Sequence, residues 1–112
     1  MSNKINIAID AMSGENAPQK IIEGIEISLR SNQENFFFIY GQQDLLEKEI
    51  TKRKLTKQYC KIINTKDVIS DDESPLNAAK KGKESSMWKA IESLKDKKTD
   101  ICLSAGNTGA LL

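Results

Sequence analysis

I-C-L-S-A-G-N-T-G-A-L-L, residues 101–112, changes character at its middle. Ile101, Cys102 and Leu103 form an apolar run of strand length. Residues 104–109 are small and turn-forming, and Ala110, Leu111 and Leu112 read as the opening of a helix. A strand that passes through a tight turn into a helix is the joint of a βαβ unit, the building block of parallel sheets.

The same alternation runs through the preceding chain. Residues 4–10 (K-I-N-I-A-I-D) read as a strand with Ile5, Ile7 and Ile9 on one face. A turn with Ser13, Gly14, Asn16 and Pro18 follows. Pro18 suits the first turn of a helix, where its missing N–H is no loss. That helix carries Ile21, Ile22, Ile25 and Leu29 on one stripe. Residues 36–40 are a continuous apolar run, the second strand, closed by Gly41. Asp44 is the expected cap of the next helix, with Leu45, Leu46 and Ile50 inward. Its basic far end, Lys52, Arg53 and Lys54, complements the helix dipole. Residues 60–63 form a short third strand.

Residues 64–84 are polar and less regular, with Pro75 opening a short helix that runs to Lys81 and ends at Gly82. Ser85 or Ser86 then caps an amphipathic helix in which Met87, Ala90, Ile91 and Leu94 keep helical spacing. The apolar runs of the second and fourth strands lack alternation, which predicts burial on both faces. The expected fold is α/β, a parallel doubly wound (Rossmann-like α/β/α) sheet. Residues 1–112 are expected to be the truncated N-terminal portion of a single domain, with no internal repeat and no linker.

Composition narrows the function. Lys plus Arg number 17 against 16 for Asp plus Glu, a net charge of +1. That balance gives no support to nucleic-acid binding, which a basic excess would mark. No apolar run reaches the length of a membrane span, and residues 1–4 lead straight into a strand without the pattern of a signal peptide. The expected location is the cytoplasm. Cys60 and Cys102 lie far apart in apolar runs and are expected to be reduced and buried. The chain has no histidine. Ser-His-Asp and Cys-His chemistry and most transition-metal sites are therefore outside its own means, and no metal or cofactor is called for.

Three segments carry candidate chemistry. In S-A-G-N-T-G, residues 104–109, Gly106 and Gly109 let the backbone turn tightly and approach a ligand. The N–H groups of the helix start attract an anion, and Ser104, Asn107 and Thr108 add side-chain donors. The plainer alternative is a strand-to-helix turn capped by Asn107 or Thr108. The spacing is neither the Walker pattern nor the dinucleotide fingerprint. Asp10 ends the first strand, on the side where ligands collect in open parallel sheets, and is expected to share a cleft with that turn; the alternative is that it orders only its own turn. Lys80, Lys81 and Lys83 form a basic patch before Ser85 and Ser86, suited to phosphate or to an acidic partner, or simply a solvated charged loop. Trp88 lies beside the apolar stripe and is expected to pack in the core or against another domain.

In this order and spacing the segments resemble the bacterial phosphate acyltransferase family of phospholipid synthesis. The family's D-A-M-G-G-D appears here as D-A-M-S-G-E, residues 10–15, followed by Pro18. Its E-K-P-x-x-A-x-R and D-S-S-M patterns are met by Glu73, Ser74, Pro75, Ala78, Lys80 and residues 84–87. Its S-A-G-N-T-G-A-L is matched in full by residues 104–111. Ser13 stands for a glycine, Glu15 for an aspartate, Ser74 for a lysine and Lys80 for an arginine, whose planar fork a lysine does not replace.

The resemblance implies transfer of a fatty acyl group from acyl carrier protein to inorganic phosphate, giving acyl phosphate. It implies catalytic roles for Asn107, Thr108 and Asp10. It also implies phosphate binding by Ser104, Gly106, Gly109, Ser85 and Ser86, and carrier docking by Lys80, Lys81 and Lys83. A homodimer, a functional link to a membrane glycerol-3-phosphate acyltransferase and peripheral membrane contact through regions outside this chain are implied as well. The chemistry does without histidine: phosphate is largely ionised near neutrality, its second pKa being about 6 as in phosphate monoesters, and a thiol of pKa about 8.5 is a ready leaving group. What remains is positioning and stabilisation of the oxyanion. The alternatives are a related α/β enzyme that binds phosphate or a nucleotide, and an inactive remnant. The chain by itself is not expected to turn over.

Overall fold

The computed structural model describes residues 4–14, 16–65 and 86–104. Four strands, β1 (Ile5–Asp10), β2 (Asn35–Gly41), β3 (Cys60–Asn64) and β4 (Ile101–Ser104), form one sheet in the order β3-β2-β1-β4. All three pairings are parallel, and helices cover both faces. The fold is the α/β sheet expected from the alternation of elements. The chain moves from β1 to β2 to β3 in one direction and then returns to place β4 on the other side of β1. The reversal makes the β1–β4 seam a topological switch point.

The register divides the side chains between two layers. Ile7 and Ile9 of β1 and Phe37 and Ile39 of β2 face helices α1 (Gln19–Ser31), α2 (Gln43–Ile50) and α3 (Lys54–Gln58). Ile22, Ile25 and Leu29 of α1 pack on them, with Leu46 and Ile50 of α2. On the other face Ala8 and Tyr40 meet Ala90 of α4 (Ser86–Lys95), with Phe38, Ile63 and Cys102 around them. β2 is thus covered on both faces, as its unbroken apolar run predicts.

The expectation of double burial fails at β4. Ile101 and Leu103 are 41% and 51% exposed. They pair with Ile7 and Ile9 and so look toward the α1 side, but α1 lies over β1 and β2, and no described helix covers β4 there. The cysteines are half-buried rather than buried. Burial pushes the Cys60 thiol up to about 12. The Cys102 thiol is also raised, first by burial and then by the charge of Asp10.

Helix ends depart from expectation in detail. Pro18 is the N-cap of α1; its carbonyl accepts from Ile22 N–H at 3.0 Å. Asp44 does not cap α2 but sits in its first turn. The N-terminus is served instead by Asn64, whose Oδ1 accepts from Gln43 N–H at 3.0 Å. A residue that ends β3 thus replaces the local cap. Leu45 points out, 40% exposed, because α2 buries only the stripe of Leu46 and Ile50. The basic stretch after α2 does not extend it. Lys54 begins α3, which the sequence reading missed, and Arg53 reaches back to α1, with Nη1 2.6 Å from Glu26 Oε2. In α4, Leu94 faces solvent and Ser93 is buried, its Oγ donating to Ala90 O at 2.6 Å and lying 3.0 Å from Thr99 Oγ1. A polar pair, invisible to hydrophobic periodicity, takes the inward position. Trp88 is 36% exposed. The Pro75 helix lies outside the described residues.

Candidate functional site

The carboxyl ends of β1 and β4 meet at the switch point. Asp10 ends β1, Ser104 ends β4, and the two are register partners. Asp10 is fully buried. Its Oδ2 accepts from Ser104 Oγ at 2.8 Å. Its Oδ1 accepts from Ser86 Oγ and from Met12 N–H at 3.2 Å. A carboxylate only accepts, so both serine hydroxyls point their protons at Asp10. One side chain thereby joins the loop after β1, the start of α4 and the end of β4. Asp10 orders its own turn through Met12 N–H and is bonded to Ser104, the first residue of the 104–109 segment, whose other residues lie outside the described ones.

The loop after β1 is held from a second side. Ala11 N–H donates to Tyr40 O at 3.0 Å. Met12 lies over Gly41, where an added Cβ would stand 2.8 Å from its Cγ and Sδ. A side chain at the end of β2 would require Met12 to shift. Gly14 has a φ of 95°, which turns the loop toward α1. Ser13 is 2% exposed, and its Oγ has no hydrogen-bond partner among the described residues.

Ser86 is the first residue of α4, so the positive end of that helix dipole lies at the junction. Its hydroxyl donates to Asp10. Asn107, Thr108, Gly106 and Gly109, together with Ser85, Lys80, Lys81 and Lys83, lie outside the described residues. Asp10, Ser86 and Ser104 are the site residues whose positions the structure gives, and it brings all three together. Among the described residues no group of three or more His, Cys, Asp or Glu gathers to hold a metal ion. No described helix is long and apolar enough to cross a membrane.

A cleft of about 450 Å³ opens beside Ser104, between α1 and the bare face of β4. Sequence reasoning did not find it. Gly24, an exposed glycine inside α1, lines it.

The sequence profile of the fatty acid synthesis protein family matches residues 5–112. Three relatives share the name phosphate acyltransferase. The protein from Pelagibacter ubique (strain HTCC1062) is 49% identical over 112 residues, covering 100% of this chain and 33% of the relative. That of Rhodopseudomonas palustris (strain BisA53) is 38% identical over 113 residues, 100% of this chain and 32% of its own. That of Clostridium acetobutylicum is 38% identical over 106 residues, 95% of this chain and 32% of its own. The chain spans about a third of the length of these relatives. Its parallel sheet, its S-A-G-N-T-G sequence motif and the profile match over nearly its whole length lead to one conclusion: the chain belongs to the fatty acid synthesis protein family.

Proposed function

We propose that this polypeptide serves transfer of a fatty acyl group from acyl carrier protein to inorganic phosphate, forming acyl phosphate for phospholipid synthesis. The observation that carries the reading is the Asp10–Ser104 pairing at the switch point, the place where α/β sheets bind ligands. Ser104 opens the S-A-G-N-T-G turn, so its bond to Asp10 fixes where that turn begins. In this reading the backbone N–H groups at Gly106 and Gly109, with Asn107 and Thr108, receive the phosphate and the oxyanion of the attacked thioester. Asp10 is a positioning residue. A buried carboxylate repels a phosphate, and its task is to hold Ser86 and Ser104. Because their protons face Asp10, these serines offer the phosphate lone pairs, which accept from its P–OH rather than donate to its charged oxygens. The N-terminus of α4, next to Ser85, adds favourable potential.

Lys80, Lys81 and Lys83 dock the acidic carrier protein in this reading, and the parts matching the relatives' remaining length supply the homodimer contact, the membrane periphery and the link to a membrane glycerol-3-phosphate acyltransferase. The test is a chimera in which these 112 residues replace the matching third of a full-length relative, assayed with acyl carrier protein thioester and phosphate. Asn107→Ala should lower turnover by about tenfold or more, as loss of an oxyanion donor does. Charge reversal at Lys80, Lys81 and Lys83 should raise the KM for the carrier and weaken its salt dependence. A soluble, folded chimera that forms no acyl phosphate would sink the reading. Unchanged kinetics in Asn107→Ala would reduce the turn to a structural cap.

A further inference from the structure

Ser13 carries a hydroxyl that the fold itself does not use. It is 2% exposed, and its Oγ has no hydrogen-bond partner among the described residues. A buried polar atom left unpaired costs stability, and native structures keep few of them without a reason. The backbone does not call for a serine here. The described left-handed positions of the loop are Gly14 and Asn16, with φ of 95° and 59°. Ser13 is not one of them, so any small residue fits its backbone, and the phosphate acyltransferase pattern has a glycine at this place.

Two neighbours fix where Ser13 lies. Asp10 Oδ1 accepts from Met12 N–H at 3.2 Å and from the Ser86 hydroxyl. The loop after β1 and the first residue of α4 therefore meet on one oxygen atom. Ser13 follows Met12, one Cα step of about 3.8 Å further on. It stands at the carboxyl end of β1, beside the N-terminus of α4, a helix of 10 residues whose dipole favours an anion there.

The other two serines of the junction have given their protons away. Ser86 and Ser104 both donate to Asp10, and a hydroxyl has one proton to give. The proton of Ser13 is the one left for an anionic oxygen. We propose that Ser13 Oγ donates to a P–O⁻ oxygen of inorganic phosphate held between the loop after β1 and the start of α4. Phosphate near neutrality carries both P–O⁻ and P–OH groups; Ser13 serves the first, and the lone pairs of Ser86 and Ser104 serve the second. The use to which the phosphate is put rests on the acyl-transfer reading above. What is added is the residue that raises phosphate affinity above the level a glycine at this position gives.

The experiment unfolds the 112-residue chain in urea with and without inorganic phosphate, with chloride matching the ionic strength. In chloride, Ser13→Ala should have a higher midpoint than wild type, because it deletes an unpaired hydroxyl. Phosphate should raise the wild-type midpoint by binding the folded state. In Ser13→Ala and Ser13→Gly the phosphate Kd read from these shifts should be weaker by about tenfold or more, as for loss of a bond to a charged group. The chimera described above gives a second readout that does not depend on the stability of the isolated chain. There, Ser13→Ala should raise the KM for phosphate by a similar factor and leave the KM for the carrier thioester unchanged.

An equal phosphate response in wild type and Ser13→Ala would overturn the proposal. So would a response that chloride reproduces, which marks an adventitious ion only. A Ser13→Ala midpoint below that of wild type in chloride would overturn it too, since the hydroxyl would then be bonded within the chain. If the chimera turns over and Ser13→Ala leaves its phosphate KM unchanged, the role of Ser13 is wrong and the acyl-transfer reading stands. If phosphate stabilises the chain through Ser13 but the chimera is inert, the anion site stands and the reading of the reaction is what fails.

Discussion

Asp10 and Ser104 lie 94 residues apart in sequence and are joined by a hydrogen bond of 2.8 Å at the carboxyl end of adjacent strands. Asp10 is fully buried, and with Ser86 and Met12 N–H also on its oxygens it satisfies the rule that a buried carboxylate must be well supplied with donors. Asp10→Asn keeps the shape but offers an NH₂ where one serine had an acceptor. It should cost about 1–3 kcal/mol, read as a lower urea midpoint. Ser86→Ala and Ser104→Ala should each be non-additive with Asp10→Asn in a double-mutant cycle. Strict additivity would show that the three side chains do not act as one junction.

The raised Cys60 thiol sets an alkaline limit to stability. Its value moves from 9.0 to about 12 on folding. Between those values the folded chain keeps a proton that the unfolded chain releases. The unfolded state binds fewer protons, and stability falls as pH rises through the window. Below the lower value the effect is absent. Denaturation at about pH 8 and about pH 10 should show the fall, and Cys60→Ala should make it shallower. A thiol reagent should label Cys60 more slowly in the folded chain than in the unfolded one; equal rates would contradict the burial.

Arg53 clamps α1 to the turn between α2 and α3. Its Nη1 lies 2.6 Å from Glu26 Oε2 and its Nη2 3.7 Å from Glu23 Oε1. The Arg53 and Glu26 side chains are only 19% and 15% exposed, so each depends on the other. Arg53→Ala should destabilise by about 1–3 kcal/mol, more than loss of a surface pair, because it leaves the Glu26 charge without its main partner. A loss no larger than that for Lys89→Ala, whose ion pair with Glu92 is exposed, would refute the clamp.

Thr56 offers a prediction of opposite sign. It is fully buried in α3, and its Oγ1 has no partner among the described residues. Thr56→Val keeps the shape and removes an unsatisfied hydroxyl, whose burial costs about 1–3 kcal/mol in protein mutational data. The variant should be more stable than wild type in urea. A destabilised Thr56→Val would mean that the hydroxyl is bonded after all.

Much of the architecture was legible because local chemistry and final structure agree. Alternating isoleucines in β1, the stripe of Ile22, Ile25 and Leu29, and the solid apolar run of β2 report their surroundings directly, since periodicity records which face is buried. The candidate site was legible in part: Asp10, Ser86 and Ser104 were named from pattern and resemblance, and the fold brings them together. Other features were not legible. Asn64 caps a helix 21 residues earlier in the chain, Ser93 replaces Leu94 as an inward residue, and Gly24 opens a cleft. For Asn64 and Gly24 the deciding neighbours are remote in sequence; for Ser93 they are Ala90 and Thr99, near in sequence but polar and so unseen by hydrophobic periodicity.

The sequence alone determined the alternation of strands and helices, and hence a parallel sheet, because hydrophobic period and turn chemistry are local properties. Only the tertiary structure decided that β4 returns to the far side of β1. That choice sets the Asp10–Ser104 junction at a switch point and leaves Ile101 and Leu103 beyond the reach of α1. Strand order depends on which buried surfaces meet across long loops, a balance of closure entropy against packing that no local window of residues contains.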